Sequence, residues 1–205
     1  MRRSLFVSCL FVLVLAQQGP FALQGESIFL KGYLGGGYSY VTQKDEKAGT
    51  GLTLNGPIGM SMLQAGGSLN ASTKLFAFTS FHYGPSLSAT AENLKIDTQY
   101  SYFFVHDFGL GIGFYSKGGL SLSLGGAISN NYYNYSVYQT TGVGTHTRHG
   151  WAAHAIVGQE LSTTGRFTLG VSLLLSYNRV YDVGPSSDAA VTGIYGGLAV
   201  SAMYD

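Results

Sequence analysis

The chain has one cysteine, Cys9, four prolines and one tryptophan, and charged residues make up only 10% of its 205 residues. A lone cysteine excludes the intrachain disulfides that staple small secreted domains. Soluble domains carry roughly 25% charged residues, so something other than water covers much of this surface. Eleven basic residues against ten acidic leave a formal net charge of +1, without the basic footprint of a nucleic-acid-binding protein. Long apolar runs are scarce as well. The one candidate, Leu5 to Ala16, follows Arg2 and Arg3 and precedes Gln17, Gln18, Gly19 and Pro20. That is the layout of a secretory signal, and it falls short of the roughly 20 residues a membrane-spanning helix needs. We expect a signal over residues 1–24, cleaved between Ala16 and Gly25 and taking Cys9 with it, and one domain over residues 25–205. With no further helical span in sight, a membrane protein of this composition must be a β-barrel.

What the chain has in quantity is glycine, with 30 residues, together with 15 tyrosines and 12 phenylalanines. From Phe108 to Ile128, Phe108, Leu110, Ile112, Phe114, Leu120, Leu122, Leu124 and Ile128 share one parity. Between them stand Gly, Tyr115, Lys117, Ser121, Ser123 and Ala127. Strict period two with a rich aliphatic face opposite a small or polar one is the pattern of a lipid-facing barrel strand. The same alternation marks a first strand near 27–42, with Ile28, Leu30, Leu34, Tyr38 and Tyr40 against Lys31, Gly35, Gly37 and Ser39. It returns in the row Phe167, Leu169, Val171, Leu173, Leu175 and Tyr177.

Further strands are predicted over 52–66, with Leu54, Ile58, Met60 and Met62 in phase, over 74–83, whose faces the pattern does not assign, and over 94–104, 151–161 and 190–204. Gly66 to Asn70 is read as a turn, and so is Val105-His106-Asp107. The charge cluster Gln43 to Lys47 reads as a solvent loop. One strand from Phe108 to Ile128 would be about 65 to 70 Å long, far beyond the ~25 Å apolar band of a membrane barrel. Either it projects into the medium, giving eight strands in all, or it folds back at Lys117-Gly118-Gly119, giving ten if Tyr132 to Gln139 pairs too. The expected fold class is all-β, a transmembrane antiparallel up-and-down barrel, with eight strands preferred.

The segment Tyr100 to Tyr115, in which a Tyr-Phe pair precedes Asp107 and a glycine-alternating run, resembles the periplasmic hairpin of small bacterial outer-membrane β-barrel proteins. Those of the outer membrane protein W and X type are nearest in size. The ending Tyr195 to Tyr204 is similar to the C-terminal signal read by the barrel assembly machinery, with Gly197, Val200 and Tyr204 in the signal positions, and departs from it in carrying Asp205 after the aromatic. The resemblance implies the outer membrane of a diderm bacterium, contact with its lipids and the assembly machinery, and no cofactor.

On the inward parity we place Lys31, Lys95, Asp97, Lys117, His154 and Glu160. In a small barrel such charges first of all form a polar core; they also form ion pairs that could gate a narrow passage, Asp97 with Lys31 or Lys95 and Glu160 with one of the lysines. His146, His149 and His154 stand around Trp151 without a carboxylate or cysteine to complete a metal site. His82 lies near Ser80 and Ser86, yet no nucleophile elbow accompanies them, so no enzyme is expected. Two functions remain: a porin-like minor channel for small solutes, apolar ones included, or a non-conducting surface protein whose loops at 43–51, 84–93 and 130–150 bind a host or matrix partner. A soluble barrel of lipocalin type would need the Leu and Phe rows to face inward.

Overall fold

Leu30 lies opposite Tyr204 and Asp45 opposite Ala189, so the first strand pairs from Leu30 onward with the last. The computed structural model describes residues 28–45, 51–84, 88–91, 94–96, 102–135, 144–181 and 189–205. Its strands are β1 (Ile28–Asp45), β2 (Gly51–Asn70), β3 (Thr73–Gly84), β4 (Ser88–Ala91), β5 (Leu94–Ile96), β6 (Tyr102–Tyr115), β7 (Leu120–Tyr135), β8 (Gly144–Thr164), β9 (Phe167–Tyr181) and β10 (Ala189–Tyr204). Among the described residues, β1, β2, β3, β6, β7, β8, β9 and β10 form one closed antiparallel ring of eight strands. Closure leaves no edge of unpaired backbone groups, the condition a sheet must meet in lipid. The short β4–β5 hairpin stands outside the ring, with β4 continuing alongside the start of β2 through Leu52 opposite Ala91.

Three short turns and both ends of the ring's chain lie at one rim. At the β2–β3 turn the Ser72 amide donates to Asn70 Oδ1 at 2.9 Å, a side chain standing in for the backbone acceptor of a turn. At the β6–β7 turn the Gly119 amide donates to Ser116 O at 3.1 Å, and the Leu120 amide to Ser116 Oγ at 3.0 Å. Gly119 adopts φ +82°, and a Cβ there would lie 2.8 Å from Gln159 Nε2 and 2.9 Å from Glu160 O. The site admits only glycine without strain.

This topology corrects several expectations. The chain does not turn at Val105-His106-Asp107: β6 runs through these residues, paired with β3 and β7. The segment resembling a periplasmic hairpin is therefore continuous strand from Tyr102 onward. The fold-back falls at 116–119, and the count stays at eight because residues 102–115 form one strand, residues 132–135 belong to β7, and residues 94–96 lie in the outlying hairpin. Strand β2 continues through the predicted turn at Gly66 and ends at Asn70 after a bulge. The signal segment 1–24 lies outside the described residues.

Faces follow parity. Ile28, Leu34, Leu110, Ile128, Leu169 and Leu198 point outward and are exposed. Inside stand both polar side chains and a large apolar set that includes Phe29, Met60, Met62, Phe76, Phe78, Ile156 and Leu174. The in-phase row Leu54, Ile58, Met60 and Met62 thus faces the lumen.

Candidate functional site: the filled lumen

The lumen holds a column of rings. Phe29 meets Phe76 edge-on at 6.5 Å, Phe76 meets Phe78 at 6.1 Å, and Phe78 meets the His154 ring at 5.0 Å. His154 lies 6.1 Å from His82, His82 5.0 Å from Tyr195, and Tyr195 stacks on Phe103 at 5.4 Å. Strands β6 and β7 make room for these rings by carrying glycine opposite glycine, Gly111 beside Gly125. A Cβ at Gly111 would stand 2.5 Å from the Phe76 ring, and one at Gly125 would stand 2.6 Å from the Phe78 ring. The crevice bounded by Met62, Gln64, Phe76, Phe78, Gly125 and His154 has no room for a water molecule.

At the short-turn rim the column is capped by charge. Lys74 Nζ lies 2.7 Å from Asp205 Oδ2 and 4.8 Å above the Phe29 ring. Lys31 Nζ lies 3.8 Å from Glu160 Oε1 and 5.1 Å from the Tyr115 ring. Both lysines are buried, and the rings and carboxylates together replace the water their ammonium groups give up.

Midway along the column sits Asp107, buried on β6. Ser80 Oγ donates to its Oδ2 at 3.2 Å, with His154 Nε2 at 3.0 Å and His82 Nε2 at 3.9 Å. Ser176 Oγ approaches His154 Nδ1 at 2.7 Å. A second polar cluster follows: Tyr195 OH donates to Asn178 Oδ1 at 3.1 Å, and Asn178 Nδ2 donates to Asn131 Oδ1 at 2.9 Å and Ser129 Oγ at 3.2 Å. The atoms Ser176, His154 and Asp107 follow the order of a nucleophile, base and orienting acid. All three side chains are buried.

Of the residues named from sequence, Lys31, His154 and Glu160 lie on the lumen side, and the structure brings Lys31 and Glu160 together. Lys117 does not face the lumen: it is exposed in the 116–119 turn, because the chain reverses there instead of continuing as strand. Lys95 lies on β5, outside the ring, and its side chain is not among those described; Asp97 lies outside the described residues. His149 is exposed and bonded to Asn130, so it does not meet His154, and the His146 side chain is not described. On β10, Val200 and Tyr204 point outward while Gly197 faces in. Sequence reasoning singled out His82 with Ser80, which the structure places together, and missed the roles of Asp107, Lys74, Ser176 and Asp205. For β3 a signal was present, since Lys74, Ser80 and His82 share one parity with Phe76 and Phe78.

The exterior decides what surrounds the barrel. Phe167 touches Tyr204 at 5.3 Å near the short-turn rim, and Trp151 touches Tyr177 at 5.3 Å ten residues further along β9, with only Leu and Val in the outward row between. Ten residues span about 33 Å along a strand, or about 25 Å at a tilt near 40°, which is the height of the apolar band between two aromatic girdles. The chain is an eight-stranded β-barrel of the outer-membrane type. The lipid-facing rows are the ones that a lipocalin-type reading would have turned inward.

No family model and no curated protein matches the chain. Among solved structures it is similar to Ail, the attachment invasion locus protein of Yersinia pestis, with 13% identity over 86% of this chain and 99% of that one and a TM-score of 0.43. It is similar to Neisserial surface protein A with 12% identity over 86% and 99% of the two chains and a TM-score of 0.44. It is similar to the outer membrane protein AlkL with 11% identity over 92% and 97% and a TM-score of 0.44. Likeness this distant assigns no function to the outer-membrane barrel described above.

Proposed function

We propose that this outer-membrane barrel is non-conducting and serves as a rigid base for a binding sheet on the surface of a diderm bacterium. The observation that carries the reading is the ring column with its charged cap, which fills the lumen where a porin-like channel needs a continuous aqueous path. In this reading the Lys31–Glu160 pair is a closure of the polar core, not a gate. The length of the strands supports the second half. A membrane-spanning strand needs about 9–11 residues, whereas β8 has 21 and stays paired with β7 as far as Gly144 opposite Tyr135. About half of that ladder therefore stands beyond the apolar band, at the rim opposite the short turns, and offers backbone and side chains to a host or matrix partner. Insertion would proceed through the assembly machinery acting on the β10 ending with Gly197, Val200 and Tyr204.

The test replaces residues 133–146 with a short turn and compares adhesion of expressing cells to matrix-coated surfaces. Loss of adhesion, with the barrel still heat-modifiable and inserted, is the expected result. Adhesion that is absent from the full-length protein, or unchanged by the replacement, overturns the binding role.

A further inference from the structure

His82, Asp107 and His154 come from three different strands, and one donor atom of each lies within 4.8 Å of the others, all three side chains being buried. We propose that they form a binding site for a borderline divalent transition metal of the zinc type inside the barrel, with Ser80 Oγ beside the remaining position.

Four separations bear on this. His154 Nε2 to Asp107 Oδ2 is 3.0 Å, Ser80 Oγ to Asp107 Oδ2 is 3.2 Å, Ser80 Oγ to His82 Nε2 is 3.5 Å and His82 Nε2 to Asp107 Oδ2 is 3.9 Å. Ligands held at about 2.0–2.1 Å around a tetrahedral ion stand about 3.3 Å from one another. The two ligand pairs that include Asp107, at 3.0 and 3.9 Å, bracket that spacing, and the two histidine nitrogens lie within 4.8 Å of each other; two imidazoles with one carboxylate suit zinc, cobalt or nickel better than a hard cation.

Hydrogen bonding supports the same reading. Although His154 Nε2 lies 3.0 Å from the carboxylate, it has no aligned hydrogen bond, and Asp107 Oδ1 and His82 Nδ1 have no partner either. A buried carboxylate needs a compensating positive charge, and a close N···O approach without hydrogen-bond alignment is what two ligands of one ion show. On its other side His154 Nδ1 meets Ser176 Oγ at 2.7 Å. If Nδ1 carries the proton and donates to that hydroxyl, the Nε2 lone pair is free to face the metal, the usual outer-sphere support of a ligating histidine. The carboxylate that the spacing of His146, His149 and His154 lacks is thus supplied by β6. The Phe78 ring packs edge-on against His154 and forms an apolar wall of the site.

The experiment refolds the protein in detergent with Co²⁺, removes free metal by gel filtration, and records visible absorption and bound cobalt. One equivalent with the bands of four-coordinate cobalt, displaced by Zn²⁺, is expected. His82→Gln and His154→Gln abolish the bands, Ser176→Ala weakens binding about 10- to 100-fold, and His149→Gln, on the exposed face, leaves them unchanged. Folded wild-type protein that retains no cobalt overturns the proposal, and this reading needs no variant to fold. Cobalt retained by folded His82→Gln, or lost in His149→Gln, overturns it as well.

Discussion

Lys74 and Asp205, 131 positions apart in sequence, meet at 2.7 Å, so the residue that follows the closing strand β10 caps the lumen. Asp205 is partly exposed, which limits the strength of the pair. We expect Asp205→Asn to cost about 1 kcal/mol in urea unfolding of the lipid-embedded barrel. Lys74→Met in the same background should recover part of that loss, because the buried ammonium no longer lacks its partner. If the two substitutions are additive, the pair is not coupled.

Position along β9 sets the cost of a charge on the outer face. Leu173 lies near the middle of the Phe167–Tyr177 row, so Leu173→Arg should destabilise the folded barrel by about 2–4 kcal/mol in vesicles, and Tyr181→Arg, beyond the girdle, by about 0–1 kcal/mol. Equal costs at the two positions would place the apolar band elsewhere.

Removing a ring and adding a methyl group at the same contact should both be felt. Phe78→Ala is expected to lose about 3–5 kcal/mol, the cost of an aromatic cavity in a packed core. Gly125→Ala is expected to lose about 1–3 kcal/mol, since its Cβ would meet the Phe78 ring at 2.6 Å. Phe78→Leu should relieve part of the Gly125→Ala penalty. Equilibrium unfolding of the single and double variants measures this coupling.

The β6–β7 turn depends on a left-handed glycine. Gly119→Ala should cost about 1 kcal/mol or more, from strain at φ +82° and the crowding of Gln159 and Glu160, while Gly118→Ala, whose Cβ would meet only Ser116 Oγ at an ordinary 3.9 Å, should be near neutral. Urea midpoints of the two variants separate the cases.

Outward rows were legible wherever lipid alone sets the residue type. In β1, β7 and β9 the outward parity over 28–40, 120–128 and 167–177 carries aliphatic or aromatic residues broken only by glycine, and those faces follow from alternation. Alternation says less where the lumen is itself partly apolar: in β2 the row from Leu54 to Met62 faces in, and in β3 Phe76 and Phe78 face in beside Lys74 and His82. Asp107 was the costliest misreading. Next to a histidine and ahead of alternating glycines it looks like turn chemistry, but it sits in mid-strand because His82, His154 and Ser80 supply its partners from β3 and β8. A turn at 105–107 separates Asp107 from His82 and His154, so the pattern gives no sign of the central polar cluster. Partners that meet only through ring closure, as Lys74 and Asp205 do, leave no local signal at all.

Single-channel recording of the refolded protein in a planar bilayer tests the central claim, a lumen closed by its own side chains. Silence from inserted, heat-modifiable wild-type protein, and from Glu160→Gln and Asp97→Asn, is the predicted result, with a Phe78→Gly, Tyr195→Gly variant as the emptied-lumen comparison that conducts. Discrete openings of the wild-type protein, altered by Glu160→Gln, would contradict it and restore the gated channel.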